Sequence, residues 1–419
     1  MTDAIRPIIV LLVAVALLMA GTGPLTTLVS VRLETQAAST LTIGLVMGSF
    51  FAGLTAGSLF TFHVVTRVGH IRAFAAFAAV MAAATLAYPL LPDPLFWAAL
   101  RLTQGFVMAG MYVCIESWLN DSATARNRGV VMATYMTCLY LAMSGGQLLI
   151  GLPDESGFLI FVVTAIILSL AAVPVALTRM APPVLPDITS LSFRRLYEAS
   201  PLGVFGAFSS GLVLGAIYSL APVYATGNGL DLVQTSYFMG ALILGGVLLQ
   251  WPVGRLSDLI DRRKVIVGVI VAGAVTSLAM LAAPLGGFAA LLLLGGAFGG
   301  LCFVLYPLCV AHTNDHLDNE ERLGATGGLI LAQSVGSTLG PPLAAGVMSL
   351  VGPSGLFVFT GAIGAGSIAF AFWRLSARPS VPADLQGPYQ TLPQTTPVAA
   401  VLDPHVEDNP GDAPREEPT

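Results

Sequence analysis

Charged residues are scarce in this chain of 419 residues: they make up 10% of it, whereas hydrophobic residues make up 55%. In an ordinary soluble domain about a quarter of the residues are charged. The 18 basic and 23 acidic residues give a net charge of -5, and the basic residues do not cluster as a nucleic-acid groove requires. The composition therefore excludes a nucleic-acid partner and is typical of an integral membrane protein.

Cysteine is also rare. The four cysteines fall in apolar stretches without the spacing of a metal site, and we interpret them as small packing residues. The sequence has no G-x-x-x-x-G-K-[ST] loop, which argues against ATP hydrolysis. It also has no G-x-S-x-G motif, no H-E-x-x-H motif and no close acidic pair within the apolar stretches. We therefore expect no enzyme activity, no cofactor and no metal.

Long apolar runs are abundant instead. A helix needs about 20 apolar residues to cross the roughly 30 Å hydrocarbon layer. Runs of that length predict helices rather than barrel strands, because a helix pairs its own backbone polar groups in lipid. The predicted fold class is an all-α integral membrane protein with twelve transmembrane helices. The predicted spans are 7–30, 40–63, 73–91, 95–118, 129–151, 157–178, 201–224, 232–253, 265–284, 287–311, 324–349 and 355–375.

Positive residues are distributed unevenly between the two sides of these spans. With the N-terminus inside, sixteen lysines and arginines face the cytoplasm, only Arg32 lies outside, and Arg101 lies within a helix. This bias also favours an even number of spans, since a missed helix would invert half of the loops. The first run is longer than a signal-peptide core, so we expect it to remain as a helix. The chain is predicted to lie in the plasma membrane with both termini in the cytoplasm.

The sequence repeats itself at an offset of 194 residues, which indicates two six-helix halves. A shared axis along the membrane normal would place a binding site between them at mid-depth. The predicted units are an N-terminal bundle (1–178), a cytoplasmic linker (179–200), a C-terminal bundle (201–376) and a disordered cytoplasmic tail (377–419). The matched positions are Pro7 and Pro201, Gly21 and Gly215, Gly105 and Gly299, Tyr112 and Tyr306, Asn120 and Asn314, Arg128 and Arg322, and Gly146 and Gly340.

Two loops at equivalent places in the halves, together with one helix, carry recognisable motifs. The loop after the eighth span reads WPVGRLSDLIDRRKV, and its counterpart after the second span reads GSLFTFHVVTRVGHIR. Both resemble the G-x-L-x-D-R-x-G-R-R signature of the major facilitator superfamily. The piece ALRLTQGFVMAG resembles the R-x-x-Q-G motif of that superfamily's fourth helix, and IESWLND followed by ARNRG is similar to its YcaD-like branch. The motif residues of the helix are Arg101, Gln104 and Gly105. Those of the two loops, called here the gating loops, are predicted to act in gating: Gly57, Arg67, Gly69, Arg72, Gly254, Asp258, Arg262 and Arg263.

The chain departs from these patterns in places. The first loop has no acidic residue between Gly57 and Arg72, and the second has Leu259 and Asp261 where the family shows Arg and Gly. The fifth span reads SGGQLLIG and lacks the G-x-x-x-G-P pattern of proton-driven drug exporters, although GSTLGPP occurs in the eleventh span. These departures weaken the prediction of drug–proton antiport.

The resemblance implies two six-helix bundles whose first, fourth, seventh and tenth helices line a central cavity. On the fourth helix, Arg101, Gly105, Met108, Tyr112 and Glu116 fall within an arc of roughly 80°, so this stripe is predicted to face the cavity. Arg101 and Glu116 are about 22 Å apart along the axis and must act separately. Arg101 is interpreted either as a cavity charge that perturbs a protonatable group or holds an anionic substrate, or as an arginine that snorkels to the outer face.

Glu116 has two interpretations. In one, it closes an intracellular gate by pairing with an arginine of the neighbouring loops. In the other, it carries a proton, because a carboxylate in the membrane is costly unless it is paired, hydrated or protonated. The gate partners considered are Arg67, Arg72, Arg126 and Arg128.

Other polar residues complete the predicted site and gate. Tyr112, Tyr218 and Tyr306 are predicted either to offer hydroxyls and aromatic faces to a substrate or to pack between helices. Gln104 is included as a binding or coupling residue on the motif alone. Asp258 is expected to dock on the start of the eleventh helix in one state and to release it in the other.

The function predicted is secondary transport of a small solute by alternating access. Proton coupling is favoured because of Glu116 and Arg101, and export is favoured on the family resemblance alone. The transporter is expected to act as a monomer in the lipid bilayer, with the solute and protons as its partners. An uncoupled facilitative permease and a transporter-derived sensor are the alternatives. The sequence does not name the solute.

Overall fold

The described part of the chain consists mostly of long helices. The computed structural model describes residues 8–124, 127–154, 157–178, 183, 191–375, 386–387, 389 and 395, apart from the side chains of residues 319, 320 and 375. We number the spanning helices in chain order, and a separate linker helix, Phe193–Ala199, precedes the seventh. The helices are α1 (Ile9–Thr35), α2 (Thr40–Val68), α3 (His70–Ala87), α4 (Pro94–Ser122), α5 (Arg128–Gly146), α6 (Leu159–Leu170, continued by Ala172–Ala176), α7 (Pro201–Gly227), α8 (Leu232–Leu259), α9 (Arg262–Ala282), α10 (Gly287–Asn314), α11 (Asn319–Val351) and α12 (Gly355–Leu375).

Over the residues that the structure describes, these twelve helices confirm the predicted all-α fold. Residues 262–314 read as a single apolar stretch by composition, but a short 3₁₀ turn at Ala283–Gly286 divides that stretch into α9 and α10. Several helices run past the predicted spans, for example α4 to Ser122 and α9 from Arg262. Hydropathy locates the part of a helix that suits lipid, whereas hydrogen bonding continues into polar turns at the membrane interface.

Side-chain caps explain where several helices begin. Asp93 accepts a hydrogen bond from the backbone N–H of Phe96 at the start of α4. Asp231 and Gln234 form a reciprocal capping box at the start of α8. Such caps satisfy backbone donors that have no partner within the helix. The Asp93 cap therefore fixes the beginning of α4, the helix that carries most of the predicted site.

The two halves are built alike. Within the N-terminal half α2 packs on α4, and within the C-terminal half α8 packs on α10. A Cβ atom at Gly105 would lie 1.9 Å from the Phe50 carbonyl oxygen, and one at Gly299 would lie 2.0 Å from that of Leu242. These two glycines are repeat mates, so each half uses the same position for a close backbone contact.

The halves meet at one end of the bundle, called here the closed end (residues 30–44, 144–154, 219–240 and 341–353). The Ser30 hydroxyl donates to the Ser219 carbonyl oxygen at 2.7 Å, joining α1 to α7. The Ser144 hydroxyl donates to the Gly240 carbonyl oxygen at 2.9 Å, joining α5 to α8. The opposite end, called the arginine-rich end, carries residues 65–72, 120–124, 127–128, 254–264 and 314–322.

Candidate functional site

A cavity of about 130 Å³ lies between the two halves. It is lined by side chains of both, which agrees with a site at the centre of the repeat. Most of the lining is apolar or aromatic, and a few hydroxyl, amide and guanidinium groups interrupt it. The lining residues are Met19, Thr22, Thr26, Phe50, Phe51, Leu54, Arg101, Met108, Tyr112, Met136, Leu139, Tyr140, Met143, Leu214, Tyr218, Phe303, Gln333, Ser334, Ser337 and Thr395.

Arg101 lies in the cavity wall, with its side chain almost completely buried. Its Nη2 is 3.4 Å from the Thr26 hydroxyl, and its guanidinium lies 4.6 Å from the centre of the Phe50 ring. Its Nε and Nη1 have no hydrogen-bond partner among the residues that the structure describes. A buried guanidinium with spare donors is available to a ligand, so the geometry fits a cavity charge better than a snorkelling side chain.

Gln104 lies away from the cavity. Its Oε1 accepts a hydrogen bond from the Tyr88 hydroxyl at 2.7 Å, and its Nε2 donates to the Thr85 hydroxyl at 3.1 Å. These bonds join α4 to the end of α3 within the N-terminal half. A direct role for Gln104 in binding or coupling stays a prediction, and its contacts are those of a residue that holds α4 in place.

Glu116 is fully buried on α4, one turn beyond the last cavity-lining residue of that helix, Tyr112. Its Oε1 accepts hydrogen bonds from the hydroxyl of Tyr135 on α5, at 3.3 Å, and from the hydroxyl of Thr395 in the tail. The predicted stripe on α4 is therefore only partly cavity-facing: Arg101, Met108 and Tyr112 line the cavity, whereas Gly105 turns to α2.

The gate partners proposed for Glu116 differ in exposure. Arg67 and Arg72 are exposed, Arg128 is buried, and Arg126 lies outside the described residues. The gate interpretation of Glu116 stays a prediction.

Two of the three predicted tyrosines face the cavity. Tyr112 donates to the sulfur of Met19 at 3.6 Å, and the Tyr218 ring stands edge-on to Phe303 with the ring centres 5.7 Å apart. Tyr306 is buried elsewhere, in an apolar cluster with Leu196 and Val310. Tyr112 and Tyr218 can thus offer hydroxyl and ring edges to a solute, while Tyr306 has the surroundings of a packing residue.

The cavity also contains polar residues that the sequence reasoning missed. Gln333, Ser334 and Ser337 lie on α11 and face the cavity from the C-terminal half. Gln333 and Ser337 are four residues apart, which puts them on one helical face. Their spacing within an apolar helix indicates a polar helical face. The resemblance implied a cavity lined by the first, fourth, seventh and tenth helices, so this face of α11 was not predicted to line it.

Comparison with known proteins identifies the family. The sequence profile of the Major Facilitator Superfamily matches residues 10–252 and 203–402. The MFS-type transporter YcaD of Escherichia coli O7:K1 is 32% identical over 370 residues, which cover 87% of this chain and 94% of the relative, and YcaD of Shigella flexneri serotype 5b matches equally well. The chain belongs to the major facilitator superfamily. It is a multi-pass membrane transporter, and the resemblance to the YcaD-like branch is confirmed.

Solved structures agree on the fold. A mutant form of the nucleoside transporter NupG superposes with a TM-score of 0.76 at 14% identity, covering 88% of this chain and 99% of the other. A bacterial homologue of the human lysosomal transporter Spinster, in an inward-facing and occupied conformation, superposes with a TM-score of 0.73 at 15% identity, covering 91% and 98%. At these identities the likeness shows the major facilitator fold alone.

The first-half gating loop of this major facilitator chain is mostly exposed. Gly57 packs against α4, where a Cβ atom would lie 2.5 Å from the Phe106 carbonyl oxygen. Gly69 ends α2 with a φ of 86°, a left-handed conformation that favours glycine. Arg67 and Arg72 flank this turn as exposed side chains. The roles of Arg67 and Arg72 in gating stay predictions. The local geometry explains why glycine occupies positions 57 and 69.

The second-half gating loop is buried more deeply. Arg262 is 1% exposed, forms an ion pair with Asp315, the residue that follows α10, and lies 3.5 Å from Asp258. Arg263 lies 3.6 Å from Asp261, whose side chain also caps α9. Asp258 was expected on the start of α11. In this structure it accepts a hydrogen bond from the backbone N–H of Tyr389 at 2.6 Å, so docking on α11 stays a prediction for another state.

The described residues contain no group of three or more histidine, cysteine or acidic side chains suited to a metal ion. Cys114, Cys302 and Cys309 are buried and Cys138 is half-buried, and all four are free thiols. The site therefore consists of a cavity with one guanidinium and several hydroxyl groups, and a separate buried carboxyl group.

Proposed function

We propose that the chain is a proton-coupled secondary transporter of a small solute, which acts as a monomer in the plasma membrane and alternates between two orientations of its halves. The observation that carries the proposal is Glu116, a buried carboxyl group on the cavity helix α4 whose oxygen accepts from Tyr135. A carboxylate at such a depth is disfavoured unless it is paired or protonated, so its proton occupancy depends on its surroundings. Movement of the halves would change those surroundings.

The position of the cavity supports movement of the halves about it. Both halves line it, and they are hydrogen-bonded to each other at the closed end. We assign the arginine-rich end to the cytoplasm, on the distribution of positive residues. The closed end then faces outward, so the cavity would be accessible from the cytoplasm when the arginine-rich end is open. Net export is the direction that we propose, on the resemblance to exporting members of the family.

The expected result for Glu116→Gln is that pH-driven solute accumulation is lost while solute exchange continues. Glutamine keeps a carbonyl oxygen that can accept from Tyr135 but cannot take up or release a proton near neutral pH. The purified protein would be placed in liposomes and screened with metabolites and drugs, with and without a pH gradient. Counterflow without a gradient measures exchange, and inside-out and right-side-out preparations measure direction.

Glu198→Gln is the matched control, because the Glu198 side chain is half-exposed in the linker helix and pairs with Arg194 of the same helix. This control should accumulate solute as the unmodified chain does. Undiminished accumulation by Glu116→Gln would contradict the proton-carrier role. Solute flux that is insensitive to the pH gradient in the unmodified chain would instead support a facilitative permease.

A further inference from the structure

We propose that the cavity binds a singly charged organic anion, such as a monocarboxylate with an apolar or aromatic body. This inference rests on the proposed function, because it takes the cavity to be the transport site, and it adds the class of solute. Arg101 is the charged side chain among the described residues that line the cavity, and these include no acidic residue. The cavity wall thus carries one positive charge, which a bound anion would neutralise.

The surroundings of Arg101 support an oxygen anion as its missing partner. The Tyr88 hydroxyl lies beside the guanidinium but donates to Gln104, and Thr26 contacts Nη2 at the long distance of 3.4 Å. Both neighbours are neutral, and two guanidinium nitrogens remain without a partner in the described structure. A carboxylate forms stronger hydrogen bonds with a guanidinium than neutral groups do. A single compact anion suits this position better than a multiply charged phosphate, because the described lining offers no second cation.

The rest of the lining fits the body of such an anion. Aromatic rings stand next to Arg101, with Phe50 directly against the guanidinium. Tyr140 and Tyr218 both stand edge-on to Phe303, and all three line the cavity. Four methionines, Met19, Met108, Met136 and Met143, add flexible apolar surface that adapts to different shapes. We therefore expect selectivity for the charge and tolerance for the shape of the apolar part.

The test compares each acid with its neutral amide of nearly the same shape. The probes are benzoate with benzamide, and phenylacetate with phenylacetamide. Binding to the purified full-length protein would be measured by the quenching of intrinsic fluorescence. Each acid is expected to bind at least tenfold more tightly than its amide, and Arg101→Gln is expected to bring the two to equal affinity. Arg101→Lys should retain part of the preference because it retains the charge.

Arg194→Gln is the matched control, since the Arg194 side chain is 89% exposed in the linker helix, and it should leave the preference unchanged. Equal binding of acid and amide by the unmodified chain would overturn the proposal, even if Arg101→Gln does not fold. A preference that survives in Arg101→Gln would also overturn it. Transport of neutral solutes only would refute the anion class and leave the transport function intact, whereas anion binding without any flux would refute transport.

A second inference rests on the tail. We propose that Gly387, Tyr389 and Thr395 anchor the tail between the halves at the arginine-rich end and so inhibit transport. The Gly387 N–H donates to Asp315 at 3.0 Å, and its carbonyl oxygen accepts from Arg262. The Tyr389 N–H donates to Asp258, and its ring packs on Gly254. Thr395 bonds to Glu116 of the other half and lines the cavity.

These contacts join both halves through groups that the transport cycle would have to move. Asp258, Arg262 and Gly254 belong to the second gating loop, and Glu116 is the proposed proton carrier. Thr395 is 8% exposed and forms part of the cavity wall, so a solute that enters from this end meets Thr395. The tail would therefore have to leave before solute binds, which predicts slower transport by the full-length chain than by a chain that ends at residue 385.

Cysteine labelling tests the placement of the tail. In a chain without its four native cysteines, Thr395→Cys is expected to react with a charged maleimide at least tenfold more slowly than Lys264→Cys, an exposed position at the same end. Adding Tyr389→Pro, which removes the N–H that bonds to Asp258, should raise the rate at Thr395→Cys. Equal rates at the two cysteines would overturn the placement. Unchanged transport after ending the chain at residue 385 would overturn the inhibition.

Discussion

Gly105→Ala is expected to destabilise the folded transporter by more than about 3 kcal/mol, because the added methyl group has no space. Its Cβ would lie 1.9 Å from the Phe50 carbonyl oxygen and 2.7 Å from the Leu54 nitrogen. Both are backbone atoms of α2, so a rotamer change cannot relieve the clash. The two helices must separate along their contact. The close packing that small residues allow between membrane helices is then lost.

The measurement is thermal unfolding of the purified protein, together with the yield of monodisperse protein in gel filtration. Gly268→Ala is the control, because it makes the same chemical change in α9 at a position where an added Cβ meets nothing within 4 Å. In a helix this control should be neutral or slightly stabilising. Gly299→Ala should behave like Gly105→Ala, since a Cβ there would lie 2.0 Å from the Leu242 carbonyl oxygen. Equal melting of Gly105→Ala and Gly268→Ala would contradict the close-contact argument.

The close contact at Gly105 also positions the candidate site. Arg101 lies one turn before Gly105 on α4, and its guanidinium rests on Phe50, the same residue whose carbonyl meets Gly105. Moving α4 away from α2 would separate the guanidinium from that ring. The R-x-x-Q-G motif thus combines a cavity charge, an amide that bonds to α3 and a glycine that sets the helix distance.

The sequence predicted the fold well because lipid imposes strong rules. The length of the apolar runs predicted the number and the positions of the helices, and the constant offset of matched residues predicted the two halves. It also placed Arg101, Tyr112 and Tyr218 in the cavity from their positions on helices. Helix periodicity alone did not decide which way α4 is turned, so Gly105 was expected in the cavity and instead meets α2.

Contacts between distant parts of the chain could not be predicted from the sequence. The spacing of Gln333 and Ser337 indicates a polar face on α11, but whether that face reaches the cavity depends on how the halves are packed. The bonds from Gly387 and Thr395 join residues more than seventy positions apart in sequence. The disordered tail (377–419) predicted from its low hydrophobicity lies outside the described residues except at 386–387, 389 and 395, so disorder stays a prediction.

Arg262→Met is the second substitution with a large expected effect, a loss of about 3 to 5 kcal/mol of folding stability. Arg262 and Asp315 are 1% and 4% exposed, and their ion pair joins the start of α9 to the residue that follows α10. Methionine keeps much of the apolar length of arginine but leaves the Asp315 carboxylate buried without its cation. An unpaired buried charge costs more than the pair contributes, so the penalty comes chiefly from Asp315.

Thermal unfolding of three variants separates the loss of charge from the loss of packing. Arg195→Met removes the cation of the more exposed pair with Glu321, where the side chains are 51% and 26% exposed, and should melt close to the unmodified chain. The double variant Arg262→Met with Asp315→Leu should recover most of the stability lost by Arg262→Met, because it removes the orphaned carboxylate. If the double variant melts no higher than Arg262→Met, the buried charge is not the cause. The loss would then reflect the packing of the arginine between α9, α10 and the tail.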